Sequence, residues 1–217
     1  MTRLLHALAL AALIVLVVLS IDARLAGVRA DDVADCTKGR GETRLRGCSR
    51  IIKSKRLFGK PISKQNLAVA YIYRGVAYDD KGQYDRAIAD YTQAIKLNPK
   101  YSKAYYVRGL AYRNTGQYDR AIADYDKAIE LNPKDADAYN NRAWANFKWG
   151  KAAKGLPDAN KAIDLNPKGA FIYDTRGHIY EALGRKQEAI ADFRKALELD
   201  PSNEKLKVPL KRLGVTR

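Results

Sequence analysis

The chain is poor in the side chains from which enzyme centres and metal sites are built. Its 217 residues include two histidines, two cysteines and one methionine. His6 lies at the start of an apolar N-terminal stretch, and His178 has no nucleophile or ligand partner at a recognisable spacing. That excludes a zinc constellation. Eleven residues separate Cys36 from Cys48, too many for a Cys-x-x-Cys redox motif. There is no glycine-rich phosphate loop either, because each Arg-Gly or Lys-Gly pair belongs to a longer repeating pattern. No catalytic residue, metal, cofactor or small-molecule substrate is therefore expected. Acidic residues are also few, 24 against 40 Lys and Arg, for a formal charge of +16. Apolar runs are confined to Ala7–Leu19, short of the roughly 20 residues that a bilayer span needs.

What the chain does have is a period. Asn98-Pro99, Asn132-Pro133, Asn166-Pro167 and Asp200-Pro201 follow one another at intervals of 34 residues. A fixed period of this size means a stack of identical units, none able to bury its apolar face alone, so function is expected on a surface. Rows 68–101, 102–135, 136–169 and 170–203 superimpose. Each carries aromatic and small residues at three- and four-residue spacing, the stripe of an amphipathic helix, and has room for two such helices. Gly82, Gly116, Gly150 and Gly184 fall between them, where a helix end favours positive φ. The closing prolines stop each second helix.

The order aromatic, small, aromatic, small, aromatic, proline is held by Tyr71, Gly75, Tyr78, Ala87, Tyr91 and Pro99. Tyr105, Gly109, Tyr112, Ala121, Tyr125 and Pro133 repeat it. This resembles the tetratricopeptide repeat, over residues 68–203. The resemblance implies an all-α solenoid of stacked helix-turn-helix pairs, and a protein that binds partners in a concave groove lined by the first helix of each repeat.

Arginine departs from the family pattern in every row, standing at Arg74, Arg108, Arg142 and Arg176 where a large aliphatic residue is usual. Asp90, Asp124, Asp158 and Asp192 recur as faithfully, which predicts that the two sets pair, since a partly buried guanidinium needs an acceptor. The alternative is an exposed row of charges copied with the repeat. Row three is the divergent one. Ala143, Asn146, Gly155 and Ala159 replace signature residues, and Pro157 is expected to delay or kink the second helix. Trp149 is read as core volume restored, whereas Trp144 and Phe147 fall on another stripe and are candidates for ligand contact.

The flanks differ in character. Residues 1–30 combine Arg3, the apolar run and Val28-Arg29-Ala30, the pattern of a signal peptide cleaved after Ala30. The expected location is periplasmic, with an uncleaved inner-membrane anchor as the alternative. In an oxidising compartment Cys36 and Cys48 are expected to pair. Residues 31–67 are then a stapled helical cap, a half repeat in which Cys48 stands where Tyr91 stands later, followed by a loop at Gly59, Pro61 and Ser63. Residues 204–217 form a C-terminal cap with Leu206, Leu210 and Leu213, restricted by Pro209. Net charge concentrates in these flanks, +6 in residues 31–67 and +4 in residues 204–217. Such flanks suit an anionic membrane surface, an envelope polymer or an acidic partner. Nucleic acid is not expected.

By resemblance the groove is lined by Val69, Ile72 and Val76, then Lys103, Tyr106, Leu110 and Arg113, then Asp137, Asn140, Trp144 and Phe147, then Phe171, Asp174 and His178. The family's cationic clamp for a chaperone C-terminal carboxylate is absent, because Ile72 and Val76 stand where it needs Lys and Asn. An apolar and aromatic trough is the expectation. Two functions follow from it: a scaffold holding a partner peptide or helix in the groove, or a structural envelope component held by its basic flanks.

Overall fold

The computed structural model describes residues 30–215, so the expected signal peptide lies outside the described residues. The chain is a stack of helices. A short hairpin of helices, α1 (Ala30–Thr37) and α2 (Gly41–Ser54), precedes two-residue antiparallel strands β1 (Arg56–Leu57) and β2 (Lys60–Pro61). Four helix pairs follow, α3 (Lys64–Asp79) with α4 (Tyr84–Leu97) and α5 (Ser102–Asn114) with α6 (Tyr118–Leu131). The other two are α7 (Ala136–Lys148) with α8 (Ala152–Leu165) and α9 (Ala170–Ala182) with α10 (Lys186–Leu199). A 3₁₀ turn (Glu204–Leu206) and α11 (Lys207–Arg212) close the array. None of the described helices is long and apolar enough to cross a membrane.

One turn chemistry is used four times. Gly82, Gly116, Gly150 and Gly184 take φ between 69° and 75°. The next N–H donates to a carbonyl five residues back: Gln83 to Tyr78 at 2.9 Å, Gln117 to Tyr112 at 2.9 Å, Lys151 to Asn146 at 2.8 Å and Arg185 to Tyr180 at 2.9 Å. These bonds satisfy carbonyls that a helix end otherwise leaves open.

Within each pair, glycine and aromatic interlock. A Cβ on Gly75 would lie 2.5 Å from the Tyr91 ring, on Gly109 2.8 Å from Tyr125, and on Gly177 2.6 Å from Phe193. All three rings are fully buried. Row three replaces both partners together: Ala143 faces Ala159, and Ile179 of the next repeat packs with them. The substitution is compensated inside the chain, which is why the divergent row keeps its register.

The arginines and aspartates pair in all four rows. In each, Nε and one terminal nitrogen donate to the two carboxylate oxygens sixteen residues on, at 2.6–2.8 Å. The remaining nitrogen reaches back to the preceding repeat: Arg108 to Thr92 at 3.0 Å, Arg142 to Asp126 at 2.6 Å, Arg176 to Asn160 at 2.9 Å. Each rung therefore ties two helices of one repeat to the repeat before it. Arg74 reaches Ser49 at 3.4 Å in the same way, so α2 occupies the place of a preceding second helix and Cys48 that of Tyr91.

Three local expectations are corrected. Helix α8 starts at Ala152, in step with its counterparts, and includes Pro157. Both Pro157 and Ala153, whose carbonyl loses its partner, are exposed, so water can replace the missing bond. Trp149 does not refill the core; it is 43% exposed, with the Lys151 ammonium over its ring. The segment after α2 is a two-residue hairpin in which Phe58 and Gly59 both have positive φ, the geometry that matches strand twist.

At the N-terminal end α1 is a separate helix, held against α2 by the Cys36–Cys48 disulfide and by Arg50 donating to Asp32 at 2.6 Å. At the other end Leu206 and Leu210 are buried, and Leu210 packs with Ile190 and Phe193. Pro209 falls in the first turn of α11, where a missing N–H breaks no helical bond.

Candidate peptide-binding cleft

The first helices of repeats two, three and four bring their partly exposed faces to one concavity of about 440 Å³. Helix α5 contributes Tyr106 and Arg113, α7 contributes Asp137, Asn140, Asn141 and Trp144, and α9 contributes Phe171, Asp174 and Thr175. Their spacing of three, four or seven residues puts them on one side of each helix. Five of the groove residues expected from the sequence, Tyr106, Arg113, Asn140, Trp144 and Phe171, are thus brought together, as are Asp137 and Asp174.

Others are placed elsewhere. Ile72 is 7% exposed and packs in the core shared by α3, α4 and α5, with Val76 against the same cluster. Val69 lines a separate apolar cavity of about 190 Å³ with Val33, Ile51, Leu57, Ile62 and Tyr73. Leu110 packs on the cluster around Tyr112 and Tyr125. With these aliphatic side chains withdrawn into packing, the lining is aromatic and polar, not the apolar trough expected. Asn141 and Thr175 were not anticipated. Aligning the rows would have found them, since their positions are held by Tyr73 and Val107 in the first two repeats.

Phe147 and His178, both expected in the groove, are not among the residues that line it and instead pack against Trp144. Its ring centroid lies 5.1 Å from Phe147 and 5.7 Å from His178, and His178 meets Phe193 edge-on at 5.0 Å. His178 is therefore packed among aromatics, with Asp174 and Glu181 each 3.7 Å from a ring nitrogen. This packing holds Trp144 in place.

The polar wall is ordered by a short network. Arg113 donates to the side-chain carbonyls of Asn141 and, at 3.1 Å, of Asn114. Asn141 donates to the Tyr106 hydroxyl at 3.2 Å and to the Asp137 carbonyl at 2.8 Å. Burial pushes the Tyr106 phenol up to about 12, and the carboxylates of Asp137 and Asp135 act the same way. Burial likewise raises the Asp174 carboxyl above its ordinary value, partly opposed by His178. Asn140 is 6% exposed, and its Oδ1 has no hydrogen-bond partner among the described residues. Such a group is costly to bury without a partner.

Comparison with known proteins agrees with this architecture. The tetratricopeptide repeat pattern matches residues 68–101, 102–135 and 175–203, and a second tetratricopeptide form matches 124–156. No curated protein matches at a significant level. Among solved structures, the crystal structure of MamA protein is 26% identical over 80% of this chain and 90% of its own, with a TM-score of 0.65. The first TPR of Spaghetti (RPAP3), bound to the HSP90 peptide SRMEEVD, is 32% identical over 52% of this chain and 90% of its own, with a TM-score of 0.51. The Arabidopsis OM64 TPR domain is 38% identical over 52% of this chain and 93% of its own, with a TM-score of 0.50. Four helix pairs at a period of 34 residues, each ended by the same proline step, together with tetratricopeptide repeat patterns that match over half of the chain, place it in the tetratricopeptide repeat family.

Proposed function

We propose that this protein is an interaction scaffold that holds an extended segment of a partner protein in the cleft of repeats two to four. The observation that carries the reading is the cleft itself: the rings of Tyr106, Trp144 and Phe171 beside the polar side chains of Arg113, Asp137 and Asp174. Ordered aromatics next to open polar groups suit a peptide, which brings both apolar side chains and backbone donors. The similarity to a repeat domain bound to a peptide supports the same class of ligand. We place the protein outside the cytosol, on the strength of the apolar N-terminal stretch and the paired cysteines. It acts there as a holding surface and not as a catalyst.

Partner capture tests this. The Tyr106→Ala, Trp144→Ala double variant should lose capture by crosslinking pull-down, while wild type keeps it in moderate salt. Truncating such anchors typically costs about 2 kcal/mol or more of binding. Equal capture by the variant, with wild-type capture abolished by salt, would reject the cleft and favour the basic flanks, whose attraction is screened over about 10 Å at 0.1 M salt.

A further inference from the structure

The cleft carries charge of the sign opposite to the rest of the molecule. The chain has a net charge of +16, yet the cleft is lined by two carboxylates, Asp137 and Asp174, and by one cation, Arg113. That cation is already engaged, donating to Asn141 and Asn114 in the wall. Burial of Asp174 adds to the pattern, because a carboxylate stripped of water gains from a countercharge. The Tyr106 ring already takes a cation, the Lys103 ammonium 4.5 Å from its centroid. Two carboxylates and aromatic faces together call for a planar cation with several donors, which describes a guanidinium better than an ammonium.

Building on the peptide-holding reading above, we propose that the segment held in the cleft presents an arginine side chain. The guanidinium lies against Trp144 and Phe171 and donates to Asp137 and Asp174. A volume of about 440 Å³ lies within the range that takes ligands of such size. The same charges disfavour an acidic peptide of the SRMEEVD type.

The test is selection from a random displayed peptide library against the full chain, repeated with Trp144→Ala and with Asp137→Asn combined with Asp174→Asn. Peptides lost on Trp144→Ala should share an arginine. Replacing it by citrulline, which keeps shape and removes charge, should weaken binding about tenfold or more. The same replacement should matter little in the Asp→Asn variant, whose melting temperature controls for folding; the citrulline swap needs no variant at all. Trp144-dependent peptides without arginine, or SRMEEVD bound as tightly, would overturn the arginine assignment and leave the peptide-holding reading intact. Absence of any Trp144-dependent peptide would overturn both.

Discussion

Replacing Arg108 by Met should destabilise the array by about 3 kcal/mol. The guanidinium makes two charge-assisted bonds to Asp124, at 2.8 and 2.7 Å, and a third to Thr92 of the preceding repeat at 3.0 Å. Asp124 is 5% exposed, so removing Arg108 strands a buried carboxylate, a loss of about 3–5 kcal/mol when burial is complete. The Arg108 side chain retains 17% exposure, and water entering there moves the expectation to the lower end of that range. Methionine keeps an apolar stem of similar reach and removes the guanidinium, together with its approach to the Tyr105 and Tyr112 rings. Urea unfolding of Arg108→Met, Asp124→Asn and the double variant, followed by far-UV circular dichroism, measures the coupling. About 2 kcal/mol is expected, with the double variant less damaged than the sum of the singles. A single-variant loss under about 1 kcal/mol, or strict additivity, would refute the claim that these rungs hold the repeats together. A lowered urea slope would show the stack parting at that junction before the rest unfolds.

Reducing the Cys36–Cys48 bond should weaken the N-terminal cap by about 3 kcal/mol, the loop-closure value for so short a loop. Hydrogen exchange should rise in residues 30–54 and stay unchanged in 136–199, and a uniform rise would contradict a local staple. Gly109→Ala should lower the melting temperature, because the new Cβ meets the immobile Tyr125 ring at 2.8 Å. That overpacking, about 1–3 kcal/mol, exceeds the helix-propensity gain of about 1; a higher melting temperature would refute the interlock. Asp79 ends α3 with a buried Oδ1 that has no hydrogen-bond partner among the described residues, and burial and Asp80 raise its carboxyl above the ordinary value. The folded state then holds that proton more tightly than the unfolded chain, so its contribution falls as pH rises through the ordinary carboxylate range. Asp79→Asn should accordingly raise the melting temperature at pH 7, with the gain vanishing under acid conditions, and a gain independent of pH would contradict the assignment.

The repeat region was legible because each feature recurs. Four glycines at one interval identify a turn, and four Arg and Asp pairs sixteen residues apart identify a rung, since one turn geometry and one helix packing serve every copy. Where a residue occurs once, that support disappears. The hairpin at Phe58-Gly59 and the separate helix α1 lie in the N-terminal flank, which has no second copy to align. Trp149 was assigned to the core from its aromatic type alone, but it sits at the helix end, past the stripe that faces α8. The groove was half legible for a related reason. Helix periodicity places Val69, Ile72 and Val76 beside Tyr106 and Trp144 by analogy of row, yet packing with α5 and the N-terminal hairpin withdraws them. Asn141 and Thr175 give the cleft its polarity at positions that the first two repeats fill with Tyr73 and Val107.

The central claim is that the cleft of repeats two to four, and not the basic flanks, contacts the partner. Photoreactive residues placed one at a time test it most directly: at Asp137 and Phe171 in the cleft, at Glu130 on α6, and at Lys207 in the C-terminal flank, in cells that make the protein. The account predicts one discrete adduct from Asp137 and Phe171, lost when Trp144→Ala is added, and none from Glu130 or Lys207. Adducts from Lys207 alone, or cleft adducts indifferent to Trp144, would contradict it.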